Sequence, residues 1–121
     1  QMNNCTRQGR TMGIDLKRLA AKVRSDHEVA GGRYSTACYI TDSWPVILYL
    51  AYRYADDLNA ALLANTNLGG DNVHRGAVLG LLLGLATGRT VDAFFNQLKD
   101  RHDIDAEITA LIGHTQENQP I

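Results

Sequence analysis

The chain has 121 residues, 45% of them apolar, which suits one small domain with a single core. Its formal net charge of -1 gives no electrostatic basis for binding nucleic acid or an anionic membrane surface. Two cysteines at unrelated positions, no secretory signal and no apolar run of roughly 20 residues exclude a disulfide scaffold and a membrane span, so we expect a cytoplasmic protein.

The first third of the chain predicts one helix and several connections. Residues 1–13 are polar and aperiodic, and we expect them to be flexible. Asp15 can cap a helix over residues 16–25, and residues 26–34 contain two adjacent glycines typical of a connection. Residues 34–40 fit either an extended lead-in or a helical turn. The basic residues form one loose group in this part of the chain: Arg7, Arg10, Lys17, Arg18, Lys22 and Arg24.

Two further helices are predicted before residue 66. Asp42 or Ser43 begins a helix whose body, residues 44–55, is apolar nearly all round and should be buried. Its tyrosines are more typical of core and rim packing than of a platform for stacking bases. Asp57 can cap the next helix, over residues 58–65.

Residues 65–88 carry the strongest local pattern. A polar cluster comes first, followed by an apolar run in which glycines recur every four residues, at Gly76, Gly80, Gly84 and Gly88. This spacing places the glycines on one face of a helix that begins near Asp71 or Asn72 and ends at Gly88. Each glycine costs a helix about 1 kcal/mol against alanine, so the pattern indicates close approach by a neighbouring helix. The polar cluster should lie at the helix N-terminus, which favours anions.

The remaining residues predict two more helices. Thr90 can cap one that extends to about residue 102, and Asp103 or Asp105 can begin a last one that ends at Gly113. No convincing strand pattern occurs. The sequence therefore predicts an all-α fold, with a flexible segment at 1–13, a single helical domain at 14–113 and a C-terminal tail at 114–121.

The polar cluster and the helix after it resemble the C-terminal signature of the ADP-ribosylglycohydrolase family. That signature reads Gly-Gly-Asp-x-Asp-Thr and precedes a helix rich in small residues. Gly69, Gly70 and Asp71 match its first three positions, and residues 76–88 match the helix. The resemblance extends over about residues 34–100. It implies an all-helical fold, hydrolysis of glycosidic bonds to ADP-ribose, and a pair of magnesium ions with Asp71 as a ligand.

Two departures from the family pattern limit what the resemblance implies. Val73 and His74 stand where the family has its second aspartate and its threonine, and valine offers no oxygen to Mg²⁺. A divergent branch of the family, with Gly-Gly-Asp-Asn followed by His-Arg-Gly, is more similar at residues 69–76. The N-terminal motif that supplies further carboxylates in the family does not precede residue 34. The chain thus resembles the C-terminal portion of the fold, and its exposed apolar faces predict a homodimer.

Each candidate site residue has a structural interpretation beside the functional one. Asp71 is either a catalytic metal or ribose ligand or a helix N-cap. His74 and Arg75 either bind a phosphate of an ADP-ribose-like ligand or serve the fold, Arg75 by pairing with an acid such as Asp57 and His74 as an interior residue. Asn65, Thr66 and Asn67 either recognise ribose hydroxyls or satisfy loop backbone groups. The remaining candidate ligand-binding residues are Gly69, Gly70 and Asn72.

Three functional hypotheses follow. The first is an ADP-ribosylglycohydrolase-like hydrolase that uses Mg²⁺. The second is a non-catalytic helical binding or assembly module that self-associates. The third is a truncated piece of a longer enzyme. Binding of nucleic acid or membranes is expected in none of them.

Overall fold

The computed structural model describes residues 14–117, and their secondary structure is helical. Besides a 3-10 helix at Asp26–Glu28 and one isolated bridge between Ala30 and Tyr34, these residues form α-helices only. The six α-helices are α1 Leu16–Lys22, α2 Ile40–Arg53, α3 Leu58–Asn67, α4 Asn72–Thr87, α5 Asp92–Phe95 and α6 Arg101–Glu117. The all-α prediction is confirmed. The prediction that residues 1–13 are flexible concerns a segment outside the described residues.

The chain divides after Thr90 into two compact units, the first containing α1 to α4 and the second α5 and α6. In the first unit α2 contacts α1, α3 and α4, and α3 packs against α4. The predicted division into a flexible segment, one domain and a tail stays a prediction.

Helix α2 supplies the centre of the core, as its apolar sequence predicts. Residues 45–50 are all buried, and each large aliphatic side chain removed from water contributes about 1.5–3 kcal/mol. The helix begins at Ile40 rather than at Asp42 or Ser43, because the carbonyl of Tyr39 already accepts hydrogen bonds from both of their backbone N–H groups.

Gly76 and Gly80 of helix α4 face the neighbouring helix α3, as predicted, whereas Gly84 faces the Arg89 carbonyl just after α4. A Cβ atom on Gly76 would lie 3.0 Å from the Asn65 side chain, and one on Gly80 would lie 3.7 Å from Leu62, both on α3. Gly88 ends the helix with a positive φ of 67°. These contacts confirm that the glycine pattern permits close packing of α3 on α4.

The C-terminal helices differ from their predicted bounds. The helix predicted over residues 90–102 is wrong, because α5 is only one turn long and its chain continues with i→i−3 turns, such as the bond from Leu98 N–H to the Phe95 carbonyl. Helix α6 begins at Arg101, before the predicted aspartates, and continues through Gly113 to Glu117. A glycine inside a helix costs about 1 kcal/mol, which is too little to end it there.

A partly buried carboxylate, that of Asp26, ties the 3-10 helix to the end of α2. Asp26 accepts hydrogen bonds from the hydroxyls of Tyr49, at 2.7 Å, and Tyr54, at 2.6 Å, and pairs with Arg53 at 3.1 Å. Burial, together with the Asp26 carboxylate, raises the pKa of Tyr49. The sequence interpretation assigned these tyrosines to packing, and Tyr49 is indeed fully buried.

Candidate functional site

Arg75, in the first turn of α4, holds the loops around the glycine motif together. Its side chain is only 1% exposed, and three of its nitrogen atoms donate to protein oxygens. Nε donates to the Asn65 side chain at 3.1 Å, Nη1 to the Thr36 carbonyl at 3.2 Å and Nη2 to the Gly69 carbonyl at 2.6 Å. Burial lowers the pKa of Arg75, while the Asp71 carboxylate acts in the opposite direction. The predicted pairing of Arg75 with Asp57 is wrong, since Asp57 caps α3 instead.

The two glycines of the motif allow the chain to turn at this point. Gly69 and Gly70 both have positive φ angles, 67° and 62°, which few other residues adopt without strain. A Cβ on Gly70 would overlap the backbone and side chain of Thr36. The Thr36 carbonyl also accepts a bond from Asp71 N–H at 2.9 Å. The motif therefore presses against the segment before α2, and only glycine fits at position 70.

We call residues 65–75, from the end of α3 to the first turn of α4, the corner. Asn65 satisfies backbone and side-chain groups inside it. It is 2% exposed, and its amide nitrogen donates to the Asn72 carbonyl at 2.7 Å. Thr66 donates to the Leu62 carbonyl within α3, and the Asn72 side chain donates to the Gly70 carbonyl. Asn67 is exposed at the end of α3. The interpretation of Asn65 and Thr66 as partners for backbone groups agrees with these bonds.

Asp71 and His74 form the exposed part of the corner. One Asp71 carboxylate oxygen lies 2.6 Å from Nδ1 of His74, whose side chain is 84% exposed. Asp71 occupies the N-cap position of α4, but its side chain accepts no bond from the helix backbone. The capping role is therefore wrong for the Asp71 side chain, and so is an interior position for His74.

A cleft of about 450 Å³ lies beside this pair, a volume typical of small-molecule sites. Its apolar wall comes from Ile40, Trp44 and Ile47 on α2 and Val78 on α4, and Asp71 and His74 supply polar groups. Trp44 therefore lines the cleft. Asp42, on the same helix, does not line it and instead accepts a hydrogen bond from the backbone N–H of Ser35. An acidic carboxylate at the edge of an apolar cleft suits a ligand that combines a ring with hydroxyl groups.

The family model described as ADP-ribosylglycohydrolase matches residues 5–120. The chain belongs to the ADP-ribosylglycohydrolase family. A comparison with curated proteins and a comparison with solved structures each gave no significant match. The family match is longer than the stretch of residues 34–100 on which the resemblance was based, and it places the Gly-Gly-Asp motif inside the matched region.

Members of the ADP-ribosylglycohydrolase family are generally metal-dependent, and the described residues of this member do not offer a fitting set of donors. Mg²⁺ needs near-octahedral oxygen ligands, commonly from carboxylates. Within residues 14–117 no group of three or more acidic, histidine or cysteine side chains is arranged to hold a metal. Asp71 pairs with His74, and Val73 is 74% exposed with no side-chain oxygen to offer.

Sequence reasoning missed the residues that shape this family member's corner from a distance. Thr36 contributes through its backbone carbonyl, which no side-chain pattern signals, and its bond to Arg75 joins positions 39 residues apart.

Among the described residues, no helix combines the length and the apolar character needed to cross a membrane.

Proposed function

We propose that this chain binds an ADP-ribose-like ligand in the cleft beside Asp71 and His74, as part of a hydrolase that acts on glycosidic bonds to ADP-ribose. Family membership supports the substrate class and the reaction. The observation that carries the proposal is the exposed Asp71–His74 pair, which lies at an apolar cleft of ligand size.

The residues at the cleft suit different parts of such a ligand. The Asp71 carboxylate has oxygen lone pairs available beyond the one used by His74, and it can accept hydrogen bonds from two adjacent ribose hydroxyls. Trp44 and Ile47 offer an apolar surface to a ring. Arg75 has its donors committed to protein oxygens, so we assign it to positioning Asp71 rather than to contact with a phosphate.

Binding is the contribution that we propose for the described residues themselves. Hydrolysis of a glycosidic bond commonly requires a pair of carboxylates or an activated water, and among the described residues that line the cleft Asp71 is the one acid. We therefore expect this chain to bind ADP-ribose and to show little or no hydrolysis when assayed alone.

A titration of the full chain with ADP-ribose tests the proposal. Trp44 is the single tryptophan in the sequence, and its place in the cleft makes its fluorescence a direct report of binding, to be paired with calorimetry. We expect Asp71→Ala to weaken binding about tenfold or more, because it removes charge-assisted hydrogen bonds. Asp56→Ala is the matched control, since it removes one exposed acid whose side chain lies outside the cleft.

Two results would contradict this function. One is the absence of any fluorescence or heat signal at millimolar ADP-ribose. The other is equal weakening by Asp71→Ala and Asp56→Ala, which would indicate a general charge effect. A parallel Mg²⁺ titration checks the metal: binding that disappears in Asp71→Ala would show that Asp71 ligates the ion despite its sparse surroundings.

The second candidate function is a non-catalytic module that assembles with a second copy. Apolar residues at helical spacing favour it, because they remain exposed on two helices. On α4, Leu81 is 61% and Leu85 77% exposed, and on α6 Ile108 is 45% and Ile112 54% exposed. Burial of such faces stabilises homodimers. Light scattering tests this function: a stable dimer that binds neither ADP-ribose nor Mg²⁺ would support it, and a monomer would count against it.

A further inference from the structure

A second cavity lies on the first unit and uses none of the residues of the Asp71 cleft. Its volume is about 610 Å³, again within the range of small-molecule sites. Three cationic side chains line it: Arg18 and Lys22, one turn apart on α1, and Arg33, from the segment after the 3-10 helix. Two of them belong to the loose basic group that the sequence shows near its N-terminus.

None of the three cations forms a close ion pair among the described residues. Within residues 14–117, ion pairs shorter than 4.0 Å join Arg53 to Asp26 and His74 to Asp71, and none involves a cation of this cavity. All three cationic residues are exposed, so water screens their mutual repulsion and their donors remain accessible to an anion from solution.

The acids of the cavity leave a positive balance. Asp15 and Glu28 also line it, which gives three cations against two carboxylates. One carboxylate oxygen of Asp15 accepts a hydrogen bond from the backbone N–H of Arg18 at the start of α1. This bond occupies one of the two acids, whereas the guanidinium and ammonium groups keep their donors for a ligand.

The remaining lining adds an apolar surface and an aromatic ring. Leu19 and Val23 contribute aliphatic surface, and Tyr34 is partly buried with the Arg33 guanidinium 5.8 Å from its ring centroid. At this distance the ring and the cation attract each other, which orients Arg33. Two guanidinium forks and one ammonium suit the oxygens of linked phosphates, which arginine binds in a bidentate manner.

From this geometry we infer that the cavity binds a small molecule through a phosphate or pyrophosphate group, with Arg18, Lys22 and Arg33 as its cationic ligands. The apolar side of the cavity contacts the body of that molecule. The site is independent of the proposed function, because its residues are separate from the cleft at Asp71.

Titration of the full chain with inorganic pyrophosphate, and separately with ADP, tests this site by calorimetry. The double variant Arg18→Gln/Lys22→Gln removes two cationic ligands. Lys17→Gln/Arg24→Gln is its matched control, since it removes the same charge from exposed positions of the same region that do not line the cavity. We expect the first variant to weaken both probes at least about tenfold and the control to change them less than about twofold.

Three results would contradict the proposed site. The first is that neither probe binds at millimolar concentration. The second is an equal loss of affinity in the two double variants, and the third is binding that is lost only in Asp71→Ala. If circular dichroism shows that the Arg18→Gln/Lys22→Gln variant does not fold, the site is tested instead by NMR. The measurement is then the change in amide chemical shifts of the unaltered chain when pyrophosphate is added. Saturable pyrophosphate-dependent shifts at residues 18, 22, 33 and 34 support the site, and shifts spread over the surface contradict it. A stronger response to ADP than to pyrophosphate identifies a nucleotide as the source of the phosphate.

Discussion

Replacing Arg75 by methionine should lower the stability of the first unit more than any other exchange of a single basic residue that we consider. The variant leaves two oxygen acceptors without donors, on Asn65 and Gly69, while the Thr36 carbonyl keeps its bond from Asp71 N–H. An acceptor left without its partner costs about 1–3 kcal/mol. Methionine fills much of the same volume and offsets part of the loss, so we expect a net decrease in unfolding free energy of about 2–4 kcal/mol. Small domains have about 5–15 kcal/mol in total.

Urea denaturation followed by circular dichroism measures this change. The matched control is Arg89→Met, because Arg89 is exposed and donates to only one backbone oxygen, the carbonyl of Asp56. We expect it to cost less than about 1 kcal/mol. With slopes of about 1–3 kcal/mol per molar urea, the Arg75 variant should unfold at a midpoint lower by about 1–4 M. Equal midpoints for the two variants would refute the idea that Arg75 secures the corner.

Three further predictions concern glycine, carboxylate and tyrosine positions. Gly70→Ala should destabilise the fold by about 1–3 kcal/mol more than Gly69→Ala, because both have positive φ but only the first meets Thr36; equal melting temperatures would contradict this. Asp26→Asn should cost about 1–3 kcal/mol, since it weakens bonds to two tyrosine hydroxyls and a guanidinium; an unchanged urea midpoint would show that this cluster adds little. The raised pKa of Tyr49 means that the unfolded chain loses this proton first. Stability should therefore be fully present below about pH 10 and fall by up to about 1.4 kcal/mol per pH unit above it. Tyr49→Phe should reduce this slope, and identical slopes would contradict the assignment.

Local sequence signals were sufficient for the scaffold around the site. The spacing of Gly76 and Gly80 predicted a close helix neighbour, and Gly88 predicted the end of α4, because both depend on backbone geometry within a few residues. The apolar body of α2 likewise predicted burial. Such features follow from periodicity and from the special conformations of glycine, and the sequence displays both directly.

Long-range hydrogen bonds were the part that sequence reasoning could not supply. Arg75 and Asp26 each collect partners from distant segments, and nothing near Thr36 or Tyr54 in sequence marks them as those partners. Of the two roles predicted for Asp71, the side-chain cap is wrong for a related reason. Aspartate at a helix start usually caps the backbone, but here the nearby imidazole of His74 takes the carboxylate oxygen instead.

The corner at the start of α4 separates residues that build it from residues that face the cleft, and this separation makes the proposed function testable. Arg75 and Asn65 are buried and donate inward, so their loss should change stability and ligand binding together. His74 is exposed, and its side chain pairs with Asp71, so its replacement by alanine should leave the unfolding free energy within about 0.5 kcal/mol of the original. If His74→Ala weakens ADP-ribose binding at unchanged stability, the imidazole acts on the ligand or on the orientation of Asp71. If it changes neither property, His74 does not contribute to binding, and Asp71 alone would have to account for the site.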